Sequence, residues 1–294
     1  MEFHPPYPLN LFFRNNPRAP RTATVFRHPT NLNRIESSLP ILRPDLAGPF
    51  DLIGDVHGCF DELIDLTTKL GYALAQTDGC YHLSHPEHRM LCFVGDLVDR
   101  GPKNAHCLHL VMDLVDAGTA LCVPGNHDDK LRRALMGNKV QIGEALQHTL
   151  DQVHARGNSF ADRTRRFIKR LPYHQVVDGG RLALVHAAMS EQWMGKEKTN
   201  SRFARAIYGK TTGGLDPNGY PERLDWTREY RGTTLVVYGH TPVLEPYQNN
   251  QTINIDTGCV FGNQLTALRY PERRFVSVRA RRAYSERKGF LQVG

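Results

Sequence analysis

The sequence predicts an α/β domain, on three observations. Short apolar runs recur from Phe50 onward, each ending in glycine plus polar residues. Between them lie stretches whose apolar residues are spaced by three and four, the signature of a helix with one buried face. Length and composition are globular: 294 residues, 40% hydrophobic and 23% charged, enough for one large core or two small ones. No apolar run approaches the roughly 18–20 residues of a membrane helix.

The elements follow in order. Residues 1–48 hold eight of the 18 prolines and show no sustained periodicity, so they are expected to form an extended or disordered leader. Buried strands are expected at 50–53, 90–94, 120–123, 182–185, 234–238 and 252–255, from their length and β-branched content. A helix is expected at 61–70 with Leu63, Leu66 and Leu70 inward, and another at 104–117 with Leu108, Val111, Met112 and Val115 inward. A longer helix is expected over about 140–171, carrying Leu146, Leu150 and Val153 and stopped by Pro172. Residues 190–233 read as an irregular insertion over one face. Final strands are expected near 252–257, 264–270 and 275–279. Strand and helix alternating in this way define the α/β class. The expected domain spans 49–280, with 281–294 as a basic C-terminal tail.

Charge is uneven. The formal balance is +7. Residues 1–48 hold six Arg against three acids, residues 269–294 hold eight Lys and Arg against two, and the stretch between them is slightly acidic. Basic ends are either solvated segments or contacts for an anionic partner such as nucleic acid or nucleotide. The six Cys show no C-x-x-C spacing, and Cys92 and Cys122 sit within apolar runs. The N-terminal apolar stretch is too short for a signal-peptide core. A reduced, cytoplasmic protein is therefore expected.

The chemistry-bearing residues cluster where strands end. The first strand leads into GDVHG, placing Asp55 and His57 two residues apart and so on one side of an extended chain. The second leads into GDLVDRGP, with Asp96, Asp99 and Arg100. The third leads into PGNHDD, with Asn126, His127 and Asp128. The fourth ends at His186 and the fifth at His240. Any one of these reads as an ordinary loop polar residue. Five in succession read as a metal centre at the carboxyl ends of the strands. Nitrogen and oxygen donors without a thiolate suit a catalytic site with open positions. Asp55, His57, Asp96, Asn126, His186 and His240 are about as many ligands as two ions sharing a carboxylate need.

In order and spacing, GDVHG, GDLVDRG, GNHD, His186 and GHTP resemble the calcineurin-like metallophosphoesterases, in the branch of the Ser/Thr protein phosphatases. The longer runs GNHDDKLRRALMGNKV, YGKTTG, DWTREYRGTTLVVYGHTPV and TINIDTGCVFGNQLTALRYPE look most like the phosphatase module of bacterial polynucleotide kinase-phosphatases, over about 51–279. The resemblance implies two central mixed sheets flanked by helices, a four-layer αββα arrangement. It implies two divalent ions, Mn first, with Fe, Zn, Ni or Co as alternatives. Asp55 and His57 would hold one ion, Asp96 would bridge, and Asn126, His186 and His240 would complete the other. His127 would be the general acid, oriented by Asp99. Arg100 would clamp phosphoryl oxygens, Arg223 or Arg228 would be a second clamp, and Asp256 would join the substrate-binding set. Asp128, where the protein phosphatases usually have Glu, is expected mainly to cap the following helix.

The implied activity is hydrolysis of phosphate esters by metal-activated water, first on nucleotide or polynucleotide ends bearing a 2′,3′-cyclic phosphate or terminal phosphomonoester. The alternatives are a phosphoprotein phosphatase, a dinucleoside tetraphosphate hydrolase, and a non-catalytic module stabilised by metal. Gly209-Lys210-Thr211 ends like a P-loop, but Ala204 occupies the position of its first glycine and no apolar strand precedes it, so no kinase site is expected.

Overall fold

The computed structural model describes residues 38–290. Most of the expected leader (1–37) and the end of the expected tail (291–294) lie outside the described residues. In chain order the elements are β1 (Leu42–Arg43), β2 (Phe50–Ile53), α1 (Phe60–Leu70), β3 (Ala73–Thr77), β4 (Cys80–Ser84), β5 (Met90–Phe93), α2 (Asn104–Asp116), β6 (Ala120–Cys122) and α3 (Asn126–Leu135). There follow α4 (Glu144–Ala155), α5 (Asn158–Arg170), β7 (His174–Val177), β8 (Leu182–Val185), α6 (Asn200–Tyr208), β9 (Thr211–Leu215) and β10 (Pro221–Arg223). The chain closes with β11 (Leu235–Tyr238), β12 (Tyr247–Asn249), β13 (Thr252–Asn254), β14 (Gln264–Tyr270) and β15 (Arg274–Arg279).

Two mixed sheets lie face to face. One has the order β15-β14-β2-β5-β6, with β2, β5 and β6 parallel. The other has the order β1-β7-β8-β11-β13-β12, with β8, β11 and β13 parallel. Strand periodicity shows how the layers form. Phe50, Leu52, Cys92, Val94, Leu121 and Val123 point from the first sheet into an inner core shared with Leu182, Leu184, Leu235 and Val237 of the second. Their neighbours Ile53, Leu91, Phe93 and Cys122 face the opposite way and pack under residues of α1, α2, α4 and α5. Ala183, Val185, Val236 and Tyr238 meet Ala206, Tyr230 and Trp226 on the far side. This is the four-layer αββα arrangement. Strands covered on both faces read as continuous apolar runs rather than alternating ones, which is why they are legible in the sequence.

Several expectations need correction. The single helix over 140–171 is two helices, divided where Gly157 takes φ 91°, a left-handed conformation that costs glycine little. The insertion at 190–233 contains α6 and an exposed hairpin of β9 and β10. Residues 281–290, assigned to a tail, are packed on the domain. Tyr284 Oη donates to Glu62 Oε1 (2.7 Å), its amide donates to Val260 O (2.9 Å), and Phe290 meets Phe261 edge-on at 5.8 Å. Residues 42–43, assigned to the leader, form β1 beside β7. All six cysteines are free, and only Cys80 is exposed. Gly209-Lys210-Thr211 runs from the end of α6 into β9, the reverse of the strand-to-helix turn that cradles phosphate in a P-loop. Among the described residues no helix is long and apolar enough to cross a membrane.

Candidate metal centre

The loops after β2, β5, β6, β8 and β11 converge at one edge of the two sheets. Asp96 stands at the middle. Its Oδ2 lies 3.5 Å from His57 Nε2 and 3.4 Å from His186 Nε2, while its Oδ1 accepts from the His127 amide at 2.9 Å. One carboxylate oxygen is thus shared between two imidazoles that come from different sheets. Two groups of donors result: His57, Asp96 and His127, and Asp96, His186 and His240. Within each group the donor atoms lie within 4.8 Å of one another.

Backbone carbonyls set the ring orientations. His57 Nδ1 lies 2.8 Å from Val98 O, and His186 Nδ1 lies 3.0 Å from Val94 O. Each Nδ1–H donates to its carbonyl, which leaves each Nε2 with a lone pair directed into the site. Around His186 Nε2 lie Asn126 Oδ1 at 3.1 Å, His240 Nδ1 at 3.0 Å and the shared Asp96 oxygen. Electron-pair donors that converge so closely are mutually repulsive unless a cation lies between them. Arg100 Nη1 donates to His57 Nε2 at 2.7 Å, placing positive charge where that lone pair points. Asp55 stands just outside both groups. Its Oδ2 accepts from the His240 amide (3.0 Å), but its Oδ1 is buried without a hydrogen-bond partner, as is His240 Nε2. These orphaned atoms and the thiolate-free donor set fit divalent cations.

Burial dominates the titration of four of these groups, whereas the mutual attraction of His186 and Asp96 raises the first and lowers the second against it. It pushes the His57 and His240 imidazoles well below their ordinary value, keeping both neutral as ligation requires. Burial, then the charges of Asp256 and Asp96, push the Asp55 carboxyl well up. Burial also raises Asp256 to about 6. A cluster of buried carboxylates therefore wants positive charge.

The local backbone is strained around the candidate ligands. His57, Asp96, Asp99, Arg100 and His240 all take positive φ, between 45° and 74°, a conformation uncommon for residues with a Cβ. Two glycines make the close approaches possible. A Cβ at Gly239 would lie 2.0 Å from Asp55 Oδ1, and one at Gly125 would lie 2.0 Å from Asp96 Oδ1.

His127 lines the cavity above this centre, with its Nδ1 2.6 Å from Asp99 Oδ2. Asp99 is buried, and its Oδ1 accepts from Thr149 Oγ1 of α4 at 2.6 Å. Asp128 is fully buried, accepting from the Leu97 amide (3.0 Å) and the Gly125 amide (2.9 Å). It both caps α3 and ties that cap to the β5 loop. The cavity also brings in Arg100, Arg223 and Asp256. Arg228 is elsewhere. Its side chain is 79% exposed and pairs with Asp225, so of the two arginines considered for a second clamp only Arg223 reaches the site. Sequence reasoning missed Thr149, Phe261 and Arg287. Arg287 belongs to the basic C-terminal segment and lines the same cavity. The charge of that segment was the signal, but nothing in the sequence showed where the chain returns.

Residues 48–244 match the family model for calcineurin-like phosphoesterases. The chain is 43% identical to the asymmetrical bis(5′-nucleosyl)-tetraphosphatase PrpE of Anoxybacillus flavithermus, over 81% of this chain and 97% of that one. It is 45% identical to the protein of the same name in Geobacillus thermodenitrificans, over 78% and 93%. Among solved structures, a protein serine/threonine phosphatase from Saccharomyces cerevisiae superposes with a TM-score of 0.53 at 13% identity, covering 84% of each chain. A crystal structure described as a candidate diadenosine tetraphosphatase gives a TM-score of 0.58 at 23% identity, over 83% of this chain and 98% of that one. The chain belongs to the calcineurin-like phosphoesterase family. It is a metal-dependent phosphoesterase, a hydrolase.

Proposed function

We propose that this protein hydrolyses dinucleoside polyphosphates, splitting a dinucleoside tetraphosphate unequally into a nucleoside triphosphate and a nucleoside monophosphate. This revises the order of the readings the sequence suggested. The resemblance to the phosphatase module of polynucleotide kinase-phosphatases placed polynucleotide ends first. The relatives described above carry a nucleosyl-tetraphosphatase name over nearly their full length, and that moves the weight to the nucleotide alternative.

The observation that carries the chemistry is the Asp96 oxygen shared between His57 and His186, beneath His127. Asp55, His57 and Asp96 would hold one cation, and Asp96, Asn126, His186 and His240 the other. Mn is the ion the family resemblance puts first, and the mixed imidazole and oxygen donors also accept Fe, Zn, Ni and Co. When bound, such ions neutralise phosphate charge and lower the pKa of bound water toward about 7.

The chain's own residues do the rest. Nδ1 of His127 is taken by Asp99, so Nε2 is the nitrogen left to face the cavity. It donates its proton to the oxygen that leaves phosphorus as the new P–O bond to water forms. Asp99 fixes the tautomer and offsets the charge of the imidazolium form. Arg100 and Arg223 offer planar donor forks to non-bridging phosphoryl oxygens. The strongly basic segment from Arg269 onward supports action on polynucleotide ends as a second reading.

The test is a comparison of kcat/KM on diadenosine tetraphosphate, an oligonucleotide ending in a 2′,3′-cyclic phosphate, and a phosphopeptide, with metal content measured on the same sample. The tetraphosphate is expected to lead by at least about tenfold, a difference of ~1.4 kcal/mol in transition-state binding. A lead by either of the other two would replace this reading.

A further inference from the structure

Arg287 is not a feature of the metal centre. It arrives on a segment anchored elsewhere. Tyr284 and the Arg281 amide are tied to Glu62 of α1, and the Lys288 amide donates to Tyr220 Oη (3.2 Å) in the loop between β9 and β10. Between these anchors the Arg287 guanidinium lies over the Tyr220 ring at 4.2 Å and beside the Phe261 ring at 5.9 Å. Arg100 sits 5.4 Å from the same Phe261 ring. Phe261 therefore lies within cation–π reach of two guanidiniums, with Phe290 packed edge-on against it.

Arg100, Arg223 and Arg287 line one cavity, and among the described residues none of the three forms an ion pair with a carboxylate. Burial first, and then the charge of Arg287, push the Arg223 guanidinium below its ordinary value. Asp96 and Asp256 line the same space and offset part of this charge, and with divalent cations held on Asp96 and its neighbours the balance would favour an anion. A single phosphoryl group seated on two metal ions has few free oxygens left to share among three forks. A polyphosphate chain carries further anionic groups along its length, each able to accept a bidentate guanidinium.

We infer that Arg287, held on Tyr220 and Phe261, binds the phosphate next to the one attacked and selects polyphosphate chains over simple phosphomonoesters. This rests on the polyphosphate reading above and adds the residue that enforces it. The selecting group comes from the C-terminal segment and its platform from the inserted hairpin, so both additions to the two-sheet body meet at the substrate.

The test is calorimetric binding of inorganic tripolyphosphate and of orthophosphate to the full-length, metal-loaded protein, with the metal in excess of the anion. Arg287→Ala is expected to weaken tripolyphosphate by about 10–100-fold, the loss of a charge-assisted contact, and orthophosphate by less than about threefold. Tyr220→Leu, which removes the platform and keeps the charge, is expected to weaken tripolyphosphate several-fold with a smaller effect on orthophosphate. Arg279→Ala, on the exposed end of β15, is expected to change neither, and melting temperature and metal content check the fold of each variant. Equal weakening of both anions by Arg287→Ala, or no change in either, overturns the inference. Failure of the wild-type protein to cleave diadenosine tetraphosphate would sink the substrate reading instead, and the two anions would still report on Arg287.

Discussion

The Nδ1 atom of His127 lies 2.6 Å from Oδ2 of Asp99, and the other oxygen of that carboxylate is held by Thr149 at 2.6 Å. This chain of contacts runs from α4 through the β5 loop to the head of α3. It fixes one imidazole nitrogen and leaves the other for the substrate. If His127 is the general acid, its value must grow as the leaving oxygen becomes more basic. His127→Ala is expected to lower kcat by about 10²–10⁴-fold on a nucleoside monophosphate, whose leaving group is an alkoxide. The loss should be far smaller on an aryl phosphate with an acidic phenol. Steady-state kinetics on both, with metal content unchanged, check this, and equal losses on the two would remove the acid role.

Asp99→Asn keeps the shape but presents an amide to His127 Nδ1. A donor there favours the wrong tautomer, and kcat on poor leaving groups is expected to fall by about 10²–10⁴-fold. Thr149→Val removes only the hydroxyl that steadies the carboxylate, so a loss of a few-fold is expected. A Thr149→Val loss as large as that of Asp99→Asn would show that the hydroxyl does more than orient.

Gly239 precedes His240 and lies against Asp55. Gly239→Ala would put a methyl 2.0 Å from Asp55 Oδ1 and 3.2 Å from Val94 Cγ2, so the carboxylate must move. Displacing one ligand is expected to weaken cation binding by about 10–100-fold, the range seen when supporting contacts of a metal site are lost. Titration of the metal-free protein with Mn, followed calorimetrically, measures it. Unchanged affinity would mean that Asp55 is not a ligand.

His174 gives a pH dependence independent of the metal centre. It is fully buried on β7, and its Nε2 accepts from the Gly195 amide at 2.8 Å. Burial pushes its pKa down to about 4, against about 6.5 for an exposed imidazole. A depressed folded-state pKa means that the unfolded chain binds the proton more readily. The stabilising contribution is present above about pH 6.5 and is lost as pH falls toward about 4, by an amount on the order of 3 kcal/mol. His174→Gln keeps an acceptor for Gly195 and removes the titration. Chemical denaturation between pH 7 and 4 should show a shallower fall for the variant, and parallel curves would assign the acid sensitivity elsewhere.

What the sequence revealed and what it hid have physical causes. The inner strands were visible because both of their faces are buried, so 182–185 and 235–238 read as unbroken apolar runs and 50–53 is interrupted only by the buried Asp51. The hairpin of β3 and β4 was not, because β3 is exposed throughout and the alternation in β4 rests on only Tyr81 and Leu83. The division at Gly157 hid inside a helical pattern that continues on both sides of it. The candidate ligands were legible because each follows a strand in a short motif. Thr149 and Arg287 were not, because each reaches the site from an element that is distant in sequence, and only the folded chain shows the approach. Arg223 and Arg228 are alike in sequence and different in place.

The most direct measurement is the product pattern from diadenosine tetraphosphate incubated with the Mn-loaded wild-type protein, resolved by anion-exchange chromatography. The expected result is equimolar ATP and AMP, formed in proportion to bound metal and abolished by chelation. ADP as the sole product, or an intact substrate under conditions in which a cyclic-phosphate oligonucleotide is hydrolysed, would contradict a dinucleoside polyphosphate hydrolase of the unequal-cleavage type.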